Sequence, residues 1–175
     1  MSTQSAHMSS TLKTILVTVP TTGARPLRPP LDDLAHQARA TESNDARKVS
    51  VMLLDNSAAG SEPARGAAAA CEVEYRRVET PGFSRVRNAA MEEAQRYDAL
   101  VFIDDDERPV PGWFRALVAR AEANNADVVV GPVAVRLPPD APRWLDGGRL
   151  IRQVRTQPDE PWEGFGMCPQ YPPAA

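Results

Sequence analysis

The stretch Ala99-Leu100-Val101-Phe102-Ile103 runs directly into Asp104-Asp105-Asp106-Glu107. An apolar run this short, and partly β-branched, is too brief for a helix by itself. It predicts a strand buried on both faces, as in a parallel sheet. Open α/β sheets bind ligands beyond the carboxyl ends of their strands, so this strand would deliver its carboxylates to that edge. Clustered carboxylates repel one another unless a cation lies among them. A hard divalent ion, Mg²⁺ or Mn²⁺, suits oxygen ligands and commonly holds substrate phosphates as well. The bland alternative is a solvated acidic turn. Alternation along an extended chain aims Asp104 and Asp106 to one side and Asp105 to the other, which makes the first two the expected pair around one cation.

The chain has 175 residues, 42% hydrophobic and 25% charged, enough for one domain with a core of its own. A net charge of −3 gives no overall basic footprint, so a nucleic-acid partner is not expected. Cys71 and Cys168 form no CxxC pair, which fits a reducing compartment and argues against a zinc cluster. No apolar run approaches the roughly 18–20 residues of a membrane span. Thr14–Val19 is too short for a signal-peptide core and Met1–Ser10 is polar. The expected location is cytoplasmic, or peripheral to the membrane.

Residues 1–11 read as a disordered leader, 12–137 as the folded domain and 138–175 as a proline-rich, partly irregular segment. Thr14–Val19 predicts a first strand ended by Pro20. Thr21–Pro30 predicts a loop, and Leu31 to about Ala40 a helix with Leu31, Leu34, Ala35 and Ala38 on its apolar face. His36 on that helix reads as a surface or packing residue. Val49–Leu54 predicts a second strand that again ends in an acid, Asp55. Ala58–Ala70 reads as a mobile loop or a loop with a helical turn, and Val73–Val78 as a weaker strand. Ser84 is the expected N-cap of a helix over Arg85–Tyr97 with Val86, Ala90 and Ala94 on one side. Arg85 and Arg87 then lie in its first turn, where the helix dipole disfavours cations, so they suggest an anionic partner; a solvated face paired with Glu92 and Glu93 is the alternative. Trp113–Asn124 predicts an amphipathic helix on Phe114, Leu117, Val118 and Ala121. Asp127–Val130 predicts another buried strand, continued by Val133–Leu137 after Gly131-Pro132. Strands alternating with helices predict a three-layer α/β/α fold with a mostly parallel sheet.

Several chemistries are excluded by missing motifs. A nucleotide-triphosphatase reading of Leu100–Glu107 needs a GxxxxGK[ST] loop, and the only lysines, Lys13 and Lys48, follow no such glycine pattern. A response regulator needs an acid pair after the first strand, where Pro20 stands. There is no GxGxxG and no GxSxG, and two histidines in unsuitable contexts argue against a serine or cysteine triad.

Four pieces, in order, resemble family 2 glycosyltransferases of the GT-A fold. They are Ile15-Leu16-Val17-Thr18-Val19-Pro20-Thr21, Met52-Leu53-Leu54-Asp55-Asn56-Ser57, Gly82-Phe83-Ser84-Arg85-Val86-Arg87-Asn88-Ala89 and Phe102-Ile103-Asp104-Asp105-Asp106. The resemblance implies a GT-A-like nucleotide-sugar-binding domain and an enzyme that transfers a sugar from a nucleotide-activated donor. Carried over by motif, Pro20 and Thr21 border the nucleotide base and Asp55 hydrogen-bonds base or ribose. Arg85, Arg87 and Asn88 resemble the family's ARN segment near the donor nucleotide, with Val86 where alanine is common. Asp104 and Asp106 resemble the ends of the DxD motif, Asp104 also bordering the donor and Asp106 being the more direct ligand of Mn²⁺ or Mg²⁺. The implied partners are a nucleotide-sugar donor and an unknown glycan, lipid or small-molecule acceptor.

Family members normally continue well beyond this length, and their later half supplies the acceptor site and, in inverting enzymes, an acidic base. Residues 138–175 hold eight of the seventeen prolines and no recognisable base motif, so the chain reads as truncated in its acceptor half and no catalytic base is assigned. Two alternatives follow: a donor-binding remnant without transfer, and a sugar-1-phosphate nucleotidyltransferase. The second wants a glycine-rich, Arg- and Lys-bearing loop after the first strand; Thr21–Pro30 has one glycine, Arg25, Arg28 and no lysine.

Overall fold

A computed structural model describes residues 11–133. The chain divides into two compact units, 1–129 and 130–175, and every helix and strand named below belongs to the first. The expected leader and the proline-rich segment lie outside the described residues, apart from Thr11.

Four strands, β1 (Thr14–Thr21), β2 (Lys48–Asp55), β3 (Glu74–Arg77) and β4 (Ala99–Phe102), form one sheet in the order β3-β2-β1-β4. All three pairings are parallel. The helices are α1 (Arg28–Asp45), α2 (Glu62–Cys71), α3 (Phe83–Ala94) and α4 (Trp113–Asn124). Side chains alternate across β1 and β2, and each face has its own cover. Ile15, Val17, Val19, Val51 and Leu53 pack with Leu31 and Leu34 of α1, Ala64 and Ala68 of α2, and Phe114 and Val118 of α4. Leu16, Met52 and Leu54 pack with Val86 and Ala90 of α3. Helices on both faces of a parallel sheet make the expected three layers. The middles of the two central strands are therefore buried on both faces, which is why they read as continuous apolar runs.

The register sets where each strand ends. β1 and β2 end level, with Thr21 opposite Asp55, whereas β4 stops earlier, with Phe102 opposite Thr18. The expected break at Pro20 does not occur, because the strand continues to Thr21. The Thr14 and Thr18 carbonyls accept from the β4 side, and the Thr21 carbonyl accepts from Asn56 on the β2 side. Pro20 shares the parity of Thr14 and Thr18, so its missing N–H faces the level where β4 has already ended.

Other boundaries move for local reasons. α1 begins at Arg28 rather than Leu31, since Pro29 and Pro30 suit the first helical turn, where N–H donors lack partners. The span expected to be a mobile loop, or a loop with a helical turn, holds α2: the Ser61 hydroxyl accepts from the Ala64 amide, a proline opens the helix, and alanine propagates it. α3 starts at Phe83, and Gly82 (φ +145°), not Ser84, is its cap. Residues 127–130 form no strand; Val128 and Val130 stay 79% and 85% exposed, and no described strand pairs with them. His36 is an exposed surface residue, as expected.

At the opposite edge, the Asp98 carboxylate accepts from the Lys13 and Thr14 amides and the Thr14 hydroxyl, fixing where β1 begins. Arg47 Nη2 donates to both Glu122 carboxylate oxygens at 2.9 Å, tying α4 to the start of β2.

Candidate functional site at the carboxyl edge of the sheet

The acidic run is not an extension of its strand. Extended pairing ends at Phe102, Ile103 turns inward and is buried, and the chain closes into a turn. The Asp104 amide donates to the Glu107 carboxylate and the Glu107 amide donates back to the Asp104 carbonyl, both at 3.1 Å. The expected two-sided alternation is therefore corrected, because a turn does not keep a strand's period. Asp104 and Asp106 do project as exposed carboxylates, with 56% and 48% of their side chains accessible, and Asp105 at 17% is the enclosed one. The far side of the turn is pinned to α1: Arg108 pairs with Asp33, and Gln37 donates to the Pro109 and Val110 carbonyls.

Asp105 is enclosed because β1 reaches beyond β4. The Thr21 hydroxyl, on a residue 4% exposed, donates to the Asp105 carboxylate at 2.6 Å and accepts from the Gly23 amide at 2.9 Å. Gly23 is required at φ +75°, where a Cβ would lie 2.1 Å from the Ser61 hydroxyl. The β1–α1 loop thus passes hard against the α2 cap and swings Arg25 over the acids. Its guanidinium lies 3.8 Å from Asp105 and 3.3 Å from Asp106. Pro20 and Thr21 close β1 at this edge.

Asp55 departs from expectation in another way. It has no exposed surface. Its carboxylate accepts from the Ser57 amide at 2.9 Å, the Ser61 amide at 2.6 Å and the Tyr75 hydroxyl at 2.7 Å. Burial pushes this carboxyl up, but hydrogen bonding from Ser57, Tyr75 and Ser61 outweighs it and holds Asp55 below its usual 3.8. Tyr75 moves the other way, raised above 10.0 by burial and by the same Asp55 bond. Asp55 therefore fastens the β2–α2 loop, and it presents no oxygen to solvent in this conformation.

Asn56, which the sequence offered only as the neighbour of Asp55, does the same for α3. It is 7% exposed. Its amide donates to the Val78 and Thr80 carbonyls at 3.2 and 2.9 Å, and its oxygen accepts from the Gly82 amide at 2.7 Å. The start of α3 is thereby fixed relative to the end of β2. From there Arg87 reaches the acid turn, 3.5 Å from Asp104. Arg85 and Asn88 are exposed and make no hydrogen bond or ion pair with the turn among the described residues. Phe83 and Arg25 are the other edge residues that motif reasoning left without a role; proximity along the chain to Arg87 and Thr21 was the available signal.

Among the described residues, no three His, Cys, Asp or Glu side chains are arranged to hold a metal ion by themselves. The chemistry of the donor set fits a hard divalent ion: Asp104 and Asp106 could supply one or two oxygen ligands, and such an ion would need phosphate or water for the rest. Among the described residues, no helix is long and apolar enough to cross a membrane.

The family model for glycosyl transferase family 2 matches residues 20–171. Among curated proteins, the succinoglycan biosynthesis protein ExoM of Rhizobium meliloti (strain 1021) is 30% identical over 132 residues, covering 69% of this chain. The chain spans 40% of the length of that relative.

Proposed function

The chain belongs to glycosyl transferase family 2, and from that premise we propose that it binds a nucleotide-activated sugar at the carboxyl edge of its sheet and takes part in transferring that sugar to an acceptor. The relative's role in succinoglycan biosynthesis supports a saccharide acceptor. The observation that carries the reading is the acid turn, held by Thr21 and Arg25 beyond the ends of β1 and β4.

In this reading Asp104 and Asp106 bind a divalent cation together with the donor diphosphate. That ion, Mn²⁺ or Mg²⁺, supplies Lewis-acid stabilisation of the charge that grows on the departing nucleoside diphosphate. Arg87 and Arg85, at the start of α3, add positive charge toward the phosphates, and Asn88 lies beside them on the same helix. Pro20 and Thr21 form the wall against the nucleotide. Asp55 shapes the neighbouring loop from within instead of contacting the base. Arg25 answers the negative charge of Asp105 and Asp106 and screens it before a ligand arrives. The nucleotidyltransferase alternative finds no phosphate cradle, since Arg25 in Thr21–Pro30 is engaged with the acids.

The test is nucleoside-diphosphate release from a panel of nucleotide sugars in Mn²⁺, with and without saccharide acceptors. Release stimulated by an acceptor is the expected result for a transferase. Release indifferent to every acceptor identifies a donor-binding unit that hydrolyses slowly, and no release or binding with any donor refutes the reading.

A further inference from the structure

Phe83 is the first residue of α3 and is 71% exposed, which no core-packing role explains. One turn later, Arg87 lays its guanidinium 3.6 Å from the Phe83 ring centroid. Phe102, at the end of β4 and 39% exposed, flanks the same guanidinium at 5.6 Å. Residues four apart on a helix are neighbours, and a planar guanidinium stacks readily on an aromatic face. The stack starts from a fixed point, because Asn56 accepts from the Gly82 amide immediately before Phe83. It ends at Asp104, which Arg87 meets with one nitrogen at 3.5 Å. Among the described residues, Arg87 makes no other hydrogen bond, so the rest of its fork is open.

We propose that Phe83 is a positioning residue that holds the Arg87 guanidinium flat and aimed at the acid turn, ready to clamp a substrate phosphate. The proposal rests on the donor-site reading above. An arginine free to roam loses several rotors on gripping a phosphate, whereas one already stacked loses fewer. The ring has this effect through Arg87, not by touching the ligand. An aliphatic side chain of similar size would cover the guanidinium without the attraction of a π face.

The experiment is calorimetric titration of nucleoside diphosphate in Mn²⁺ against the parent chain, Phe83→Ala, Phe83→Leu, Phe83→Tyr, Arg87→Gln and the Phe83→Ala/Arg87→Gln pair. An exposed cation–π contact predicts binding about two- to fivefold weaker for Phe83→Ala. Phe83→Leu behaves like Phe83→Ala, Phe83→Tyr restores the parent affinity, and the double variant matches Arg87→Gln. The midpoint of thermal unfolding stays unchanged for the Phe83 variants, since the side chain is largely in solvent. Ring-current displacement of the Arg87 side-chain proton resonances is present in the parent and Phe83→Tyr and absent in the other two Phe83 variants. Parent-like binding by Phe83→Ala or Phe83→Leu overturns the proposal. So does a further loss from Phe83→Ala on top of Arg87→Gln, which would put the ring itself against the ligand. A parent chain that binds no nucleoside diphosphate overturns the donor site first and this inference with it.

Discussion

The Thr21 hydroxyl and the Asp105 carboxylate lie 2.6 Å apart, joining the last residue of the central strand to the middle of the acid turn. This contact bridges 84 positions of sequence and decides which of the three aspartates faces the protein. Asp105 is thereby occupied by the fold, while Asp104 and Asp106 stay partly exposed, paired on one side with Arg87 and Arg25. Thr21→Val removes the donor while keeping the shape. A hydrogen bond to a charged group predicts a loss of about 1.5–3 kcal/mol, at the lower end here because Asp105 retains some water. Chemical denaturation measures it, and Thr21→Ser restores it.

Asp55 makes stability depend on acid. Its folded carboxyl sits below the ordinary 3.8, so the unfolded chain takes up the proton first as pH falls. The stabilisation is complete above the unfolded value and is lost as pH drops from about 4 through the lower folded value. Asp98, lowered by hydrogen bonds from the Thr14 and Lys13 amides and the Thr14 hydroxyl, acts in the same direction and window. Acid unfolding of Asp55→Asn is therefore less stable than the parent at pH 7 and shallower in its pH dependence below 4. Tyr75→Phe, which removes one donor to Asp55, is expected to give an intermediate profile.

Asn56→Ala leaves the Gly82 amide and the Val78 and Thr80 carbonyls without their partner. Asn56 is buried but Thr80 and Gly82 are exposed, so water replaces part of what is lost and the cost is on the order of 1–2 kcal/mol. The same change frees the start of α3, so urea denaturation is expected to record the loss of stability, and amide exchange at Phe83–Arg87 is expected to accelerate.

Cys71 is buried and its thiol meets Asp32 at 3.1 Å. Burial first, and then the Asp32 carboxylate, push its pKa up to about 11. The thiolate needed for alkylation is therefore scarce at pH 8. Peptide mapping after brief iodoacetamide treatment is expected to find Cys71 unmodified in the folded chain and modified in guanidinium.

Much of the fold is legible in the sequence because its signals are local and strong. β1 and β2 are continuous apolar runs, although Pro20 proves to lie inside β1, and α4 follows its helical spacing from Trp113 to Asn124. α2 was hidden because its Ser61 cap and opening proline sit in a stretch rich in small residues, which resembles a loop by composition. Val128 and Val130 read as strand from their branching alone, but a strand needs a bonded neighbour, and none is present among the described residues. At the site, motif order points to Pro20, Thr21, Asp55, Arg85, Arg87, Asn88, Asp104 and Asp106, and of these Thr21, Arg87, Asp104 and Asp106 take part in the contacts at the acid turn. It could not reveal that Asp55 turns inward onto Tyr75, a bond set by the pairing of β2 with β3. Nor could it reveal that Arg25 crosses to the acid turn, since that depends on the level at which β4 stops.

The claim that matters most is that Asp104 and Asp106 form a metal–diphosphate site. Its most direct test is calorimetric titration of a nucleoside diphosphate, with and without Mn²⁺, into the parent, Asp106→Asn, Asp104→Asn and the surface control Glu62→Gln. Omitting a cation that would be held by Asp104 and Asp106 beside the diphosphate predicts at least about tenfold weaker binding without Mn²⁺, roughly 1.4 kcal/mol. Asp106→Asn is expected to bind equally weakly with and without the metal, Asp104→Asn to keep part of the metal effect, and Glu62→Gln to match the parent. Equal parent affinity with and without Mn²⁺, or a full metal effect surviving in Asp106→Asn, would contradict the account and reduce the acid cluster to a solvated turn.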